Sequence, residues 1–266
     1  MNEVRVFISV VSHGHSEVIN KLDCLGTLNK QFKVVVKNNK KDTELLNYCG
    51  KYNITCLDEE YYKGFGYNNN YVFNYCINHL GMDGKDIFIV LNPDVIIHAS
   101  DVEKIKDRML QSKLAALTIN LYKDEGYSIP DPSIRQFPEI TDFISSFLKG
   151  ENKTIIDKKG ILYPLEIDWC AGSFIALNSA AYGSVKGFNI KYFMYCEDID
   201  LCWRLKQKGY KLIYFPDIKA IHFAKHNNRR ILSRHFFWHL KSVLLFILTK
   251  NQLISSKSNL CLRNDL

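Results

Sequence analysis

Strand-length apolar runs alternate with helix-length segments through the first 121 residues, and few folds accommodate that rhythm. Val4–Val11, Phe32–Val36, Ile54–Leu57, Ile87–Leu91 and Ala115–Leu121 read as strands. Ser16–Asn29, Thr43–Tyr52, Asn70–Leu80 and a segment from Ser100 to about Ser112 read as helices, the last with Asp101 and Glu103 in its first turn. The strand runs are almost continuously apolar, so both of their faces are buried. The expectation is an α/β fold: a Rossmann-like, mostly parallel central sheet with helices on both faces. Ligands of such sheets bind at the carboxyl ends of the strands. The second half is less regular. Asp124–Pro138 reads as a long loop and Thr141–Leu148 as a short helix. Asp168–Leu177 reads as a strand with a tight turn at Ala171-Gly172-Ser173. Asp198–Lys208 reads as a helix, and Lys211–Phe215 and Lys219–Phe223 as short strands parted by Pro216-Asp217.

At 47% hydrophobic and 24% charged residues, a chain of 266 residues is too apolar for disorder and suits one large domain with a tail. The formal net charge of +7 resides in that tail. Asp217–Leu266 carries nine Lys/Arg against Asp217 and Asp265, which leaves the first 216 residues neutral and argues against a nucleic-acid partner. The division expected is a domain over 1–227 and a basic, aromatic-rich extension over 228–266. The opening Met-Asn-Glu-Val-Arg-Val-Phe lacks the basic start of a signal peptide, and the longest apolar run, Val243–Leu248, is too short to span a membrane. Eight cysteines without a CxxC pair suggest free thiols in a reducing cytosol rather than a zinc site.

Five segments could carry chemistry. Asn92-Pro93-Asp94 stops the strand before it, because proline cannot donate to a ladder, and sets Asp94 at the carboxyl edge. There it either closes a turn or holds a hard cation. Gly64-Phe65-Gly66-Tyr67-Asn68-Asn69-Asn70 is either a capped turn or a polar loop that approaches a ligand. It lacks the Lys-Ser/Thr of a phosphate-binding Walker loop. In Glu197-Asp198-Ile199-Asp200 the acids suit a helix N-terminus. Asp198 also heads the apolar stripe Leu201, Cys202, Leu205, where partial desolvation would fit it for a general base. Asp200 can pair with Arg204 one turn on. His222 ends a strand with His226 four residues later, and it is either structural or shares a metal with Asp94. Asp168-Trp169-Cys170-Ala171-Gly172-Ser173-Phe174 is either core or a sugar platform beside a small-residue turn.

In this order, and with Val11-Ser12-His13-Gly14 closing the first strand, these segments resemble the family-2 inverting glycosyltransferases of the GT-A fold. The resemblance spans roughly residues 4–240. Within the family it is nearest to the rhamnosyltransferases that build lipopolysaccharide O-antigen on a lipid carrier. The resemblance implies a divalent cation, Mg²⁺ or Mn²⁺, held by Asp94 and His222, with Asn92 standing where the family's first metal-motif acid is found. It implies Asp198 as general base and Glu197 as its neighbour on the acceptor. Ser12, His13, Gly64, Gly66, Asn68, Asn69, Asn70 and Asn92 would line the nucleotide-sugar pocket, with Arg135 as a phosphate contact. Trp169, Gly172 and Ser173 would face the sugar and acceptor. Asn38 stands where family members often carry an acid that reads a pyrimidine.

The donor implied is dTDP-rhamnose and the acceptor a lipid-diphosphate sugar. The alternatives are a UDP- or GDP-sugar donor, or a non-catalytic module of the same fold. Arg229–Leu248 would form a helix with a basic end and a broad aromatic-apolar face that includes Phe236, Phe237 and Trp238. Such a helix suits the anionic inner face of the cytoplasmic membrane. Packing on the domain or a homodimer contact are the other readings.

Overall fold

The computed structural model describes residues 3–139, 141–143, 153–224 and 234–261, without the side chains of 234 and 235. The chain begins β1 (Val6–Ser12), α1 (Ser16–Leu22), α2 (Cys24–Leu28), β2 (Lys33–Asn38), α3 (Thr43–Lys51) and β3 (Thr55–Leu57). It continues α4 (Phe65–Leu80), β4 (Ile87–Leu91), β5 (Val95–Ile96), α5 (Ala99–Gln111), β6 (Ala116–Tyr122) and β7 (Ile134–Arg135). Then follow β8 (Leu165–Ile167), β9 (Trp169–Cys170), β10 (Phe174–Asn178), α6 (Ser179–Ser184), α7 (Glu197–Gln207), β11 (Leu212–His222) and α8 (Arg234–Lys250).

The main sheet runs β3-β2-β1-β4-β10-β6-β11-β5, with β8 beside β11, and β7 pairs β9 in a small second sheet. β3, β2, β1 and β4 are mutually parallel, as the apolar runs imply. β10 enters antiparallel to both β4 and β6, and β11 is parallel to β6. The strands β1, β2, β4, β6 and β11 therefore all end at one edge of the sheet. β10 starts there, with Phe174 opposite Leu91. That single reversal gathers the functional segments.

Side chains alternate between two cores. Val6, Ile8 and Val10 of β1 pack with Ile19, Leu28, Leu45 and Ile105 on one face. Phe7 packs with Phe73, Ile77, Leu201 and Phe246 on the other.

Three segments differ from the sequence expectation. The first expected helix breaks at Asp23, which adopts a left-handed backbone (φ 46°) while its carboxylate accepts from the Tyr52 hydroxyl at 2.8 Å. α4 begins at Phe65, so Gly66–Asn70 form its first turns instead of a loop before it. β11 is one strand, and Pro216-Asp217 sits within its register shift between Phe215 and Lys219. Residues 141–143 of the expected Thr141–Leu148 helix are helical, and the remainder lies outside the described residues, as do His226, Arg229 and Arg230. All eight cysteines are free thiols.

α8 does not stand apart from the domain. Val243 and Phe246 enter the core, and the Ser242 hydroxyl donates to the Met194 carbonyl at 2.8 Å. On the opposite side of the helix Phe237, Leu240, Leu244 and Leu248 are exposed. No helix among the described residues is long and apolar enough to cross a membrane.

Candidate active site

The shared carboxyl edge holds two acidic centres. At the first, the His222 imidazole at the end of β11 meets Asp94 just beyond β4, with Nε2 3.4 Å from Oδ1. The Asp94 carbonyl accepts from the Phe223 amide at 3.0 Å, which fixes one strand end to the other. The other imidazole nitrogen, Nδ1, hydrogen-bonds Asp131. Burial would lower the His222 pKa, but the hydrogen bonds and charges of Asp131 and Asp94 outweigh it and push it up to about 9. Burial would likewise raise Asp94, and the neighbouring imidazole holds it below the usual carboxylate range instead. An imidazole fixed by a carboxylate on one nitrogen and facing a second carboxylate with the other is a donor set that fits a divalent cation. Among the described residues no cluster of three such groups has the geometry to hold a metal alone. Two protein ligands fit a cation whose remaining positions belong to phosphate oxygens and water.

Asp131 itself had no clear signal in the sequence. It lies in the 124–138 loop, which folds back because the Asp131 amide donates to the Leu121 carbonyl at 2.9 Å. Beneath it is the buried Lys158, whose ammonium donates to the Leu121 carbonyl (3.2 Å) and the Ser133 hydroxyl (2.9 Å). Burial brings Lys158 down to about 8, and the Asp131 charge opposes that fall.

The second centre is Glu197-Asp198. Tyr195 and Cys196 both take left-handed backbone (φ 72° and 61°), and the chain turns sharply into α7 through them. Asp198 Oδ2 accepts from the Gly172 amide at 3.1 Å and Oδ1 from the Ile199 amide at 2.9 Å. Burial raises the Asp198 pKa, while those amides and the positive Arg135 oppose it. Burial, with the charge of Asp198 added, pushes Glu197 up to about 8. Asp200 is fully buried and pairs with Arg204 at 2.8 Å, so it is structural. The two centres are joined, because the Asn92 amide beside Asp94 donates to the Ser173 carbonyl at 2.9 Å, one residue from Gly172.

The other expected site residues divide. The Ser12 hydroxyl accepts from the His15 amide at 3.1 Å, and His13 lies 3.3 Å from the Asn39 amide. Asn38, at the end of β2, donates to Asp58 at 2.8 Å, so a carboxylate lies beside position 38. Asn69 and Asn70 are turned into the protein. Asn69 accepts from the Ser9 hydroxyl, while Asn70 binds Phe188, Tyr182 and Asn259. Gly64 and Gly66 allow close approach of the 188–193 segment. A Cβ on Gly64 would lie 2.6 Å from the Phe193 carbonyl oxygen, and one on Gly66 2.7 Å from the Phe188 Cβ. Trp169 is buried, donates to the Gln136 carbonyl at 2.8 Å, and carries the Arg135 guanidinium 5.0 Å above its ring. Buried side-chain atoms without a hydrogen-bond partner among the described residues include Asn38 Oδ1, Asn68 Oδ1, Ser173 Oγ and Glu197 Oε2.

No family model matches the chain. It is 39% identical over 255 residues to the rhamnosyltransferase WbbL of Escherichia coli, covering 95% of this chain and 96% of that one. It is 30% identical over 169 residues to the N-acetylglucosaminyl-diphospho-decaprenol L-rhamnosyltransferase of Mycobacterium tuberculosis, covering 61% of this chain and 55% of the relative. Among solved structures, GalNAc-T7 with UDP, GalNAc and Mn²⁺ superposes with a TM-score of 0.62 at 11% identity, over 92% of this chain and 48% of that one. Residues 1–349 of S. aureus TarS in complex with UDP give 0.55 at 14% identity, over 94% and 69%. At these identities the structures speak for the GT-A fold alone.

Proposed function

The chain belongs to the family-2 rhamnosyltransferases of the GT-A fold, and from that premise we propose that it transfers L-rhamnose from dTDP-rhamnose to a lipid-diphosphate-linked sugar with inversion. It is a glycosyltransferase, so the reaction joins an acceptor oxygen to the anomeric carbon of the donor. In this reading the Asp198 carboxylate takes the proton of the acceptor hydroxyl. The freed oxygen pair attacks the anomeric carbon from the face opposite the diphosphate. The bond from that carbon to the diphosphate oxygen breaks, and the nucleoside diphosphate departs with the electron pair. Asp94 and His222 would hold a divalent cation, Mg²⁺ or Mn²⁺, which when bound neutralises the leaving diphosphate. Gly172 holds Asp198 in place, and Glu197 meets the acceptor.

The observation that carries this reading is the hydrogen bond from the Asn92 amide to the Ser173 carbonyl. It ties a cation-type centre and a base-type centre into one edge, as a displacement with one metal and one base requires. The lipid-linked acceptor also agrees with what the mycobacterial relative's name states of that protein. We place the enzyme on the inner face of the cytoplasmic membrane. The exposed apolar stripe of α8 and the exposed Lys241 beside it suit an anionic leaflet.

The test is a donor screen with purified protein and a lipid-diphosphate-sugar acceptor. Transfer from dTDP-rhamnose is expected to exceed that from UDP- and GDP-sugars. EDTA should stop it, and added Mn²⁺ or Mg²⁺ should restore it. Asp198→Asn should fold normally and lose at least about a hundredfold in kcat, the lower end for a lost general base. Full activity in EDTA, or in that variant, refutes the corresponding role.

A further inference from the structure

A cavity of about 270 Å³ lies between the segment leading into Glu197 and α8. Lys191, Phe193, Trp238, Lys241 and Leu245 line it, and none of them belongs to the two acidic centres. The Phe193 and Trp238 rings meet with centroids 4.9 Å apart and form one wall. The Lys191 ammonium donates to the Ser255 carbonyl at 2.7 Å, a neutral partner. Neither lysine has an ion pair among the described residues. Two ammoniums with no ion pair among the described residues, beside aromatic and aliphatic walls, suit a ligand that is polyanionic at one end and hydrocarbon at the other.

The position narrows the ligand further. Both walls are anchored to the catalytic body. The Phe193 carbonyl accepts from the Phe65 amide at 3.1 Å, and Ser242 bonds Met194. Phe193 is four residues before Glu197, so its Cα lies within about 14 Å of the start of α7. A sugar unit can fill that interval between a proton acceptor and a diphosphate. On its outer side the cavity borders the exposed stripe Phe237, Leu240, Leu244, Leu248, because Lys241 lies on the helix between that stripe and the cavity.

We propose that this cavity binds the diphosphate and first isoprenyl units of a polyprenyl-diphosphate acceptor, with the stripe continuing as its apolar path. The assignment rests on the lipid-diphosphate reading of the acceptor given above.

Farnesyl diphosphate is the probe, titrated calorimetrically into the full chain without donor. The wild type should bind it at least tenfold more tightly than farnesol or inorganic diphosphate. Lys191→Met/Lys241→Met keeps the apolar stems and should lose at least tenfold in farnesyl diphosphate affinity. In turnover it should raise the acceptor KM by a similar factor and leave the donor KM unchanged. The single variant Lys241→Glu, at an exposed position, guards against a folding defect and should lose affinity in the same sense. Equal farnesyl diphosphate binding by wild type and variants overturns the proposal. So does a loss confined to sedimentation with anionic vesicles, which would make the lysines contacts of the bilayer headgroups. If the variants lose farnesyl diphosphate binding while the wild type transfers nothing to any lipid diphosphate, the cavity stands and the reading of the reaction falls.

Discussion

Replacing Asp131 by Asn isolates what holds His222 in place. In the native arrangement the Asp131 carboxylate accepts from Nδ1–H, so the proton that a cation displaces is the one on Nε2, which faces Asp94. An amide at 131 either accepts more weakly from the same N–H or turns its NH₂ toward the ring. The second orientation favours the tautomer that keeps the hydrogen on the nitrogen facing Asp94 and makes it harder for a cation to displace. Loss of such a partner typically costs ten- to a hundredfold in metal affinity, or about 1.4 to 2.7 kcal/mol. The substitution also removes the charge that supports Lys158. That ammonium already sits near 8, so its remedy at neutral pH is to lose its proton. This bounds the folding cost at about 1–2 kcal/mol, a drop of about 2–6 °C in melting temperature for a chain of this size. Mn²⁺ titration followed by electron paramagnetic resonance reads the affinity directly, without turnover. Asp131→Asn should fall between wild type and His222→Ala, and a calorimetric scan should show the modest loss of stability. An Mn²⁺ affinity within threefold of wild type would refute the tethering argument, and so would a loss as complete as that of His222→Ala.

Other perturbations separate the remaining groups. Arg135 lowers the Asp198 pKa, so Arg135→Met should move the acid limb of the kcat/KM profile to higher pH by up to about one unit. A limb that stays put or moves down removes Arg135 from that role. Glu197 is held up to about 8 from an ordinary 4.5, so it binds a proton more tightly in the folded chain than in the unfolded one. Its stabilising contribution is complete below pH 4.5 and is lost as pH rises toward 8. Glu197→Gln should therefore gain stability relative to wild type as pH rises, by up to about 3 kcal/mol at pH 7. Parallel urea midpoints for the two proteins from pH 5 to 8 would count against it. Gly64→Ala drives a methyl into the Phe193 backbone, with 2.6 Å to the carbonyl oxygen and 2.9 Å to Cα. It should cost about 1–3 kcal/mol and lower kcat by shifting the segment that leads to Asp198. Unchanged kcat and melting temperature would show that the segment yields freely.

The three consecutive asparagines show what a sequence can and cannot disclose. Their poor fit to a helix interior marks them as placed for a reason, but each has a different one. Asn69 takes the Ser9 hydroxyl of β1, whereas Asn70 joins Phe188, Tyr182 and Asn259, residues remote in the chain. Asn68 spends its amide hydrogens on the Lys63 and Gly64 carbonyls and retains an unpartnered buried oxygen. Local propensity registers the cost of a residue, while its satisfaction is tertiary. The same limit governs the two centres. Asp94 and His222 each end an apolar strand legibly, yet the sequence does not state that the two strands end on one side. That depends on β10 running antiparallel between β4 and β6, and so on the pairing of Phe174 with Leu91. With that reversal β6 points the same way as β4, β11 pairs parallel to β6, and Asp94, Gly172, Ser173 and His222 share an edge. Asp131 had no such marker, because its place depends on a loop returning to the end of β6 through one amide hydrogen bond. The legible part of the site is thus the part that strand ends and the start of α7 determine. The illegible part, Asp131 with Lys158 and Asp58 beside Asn38, lies outside the regular elements and shapes the surroundings of residues already found. Replacing those partners should accordingly tune cation affinity and donor preference before it abolishes transfer.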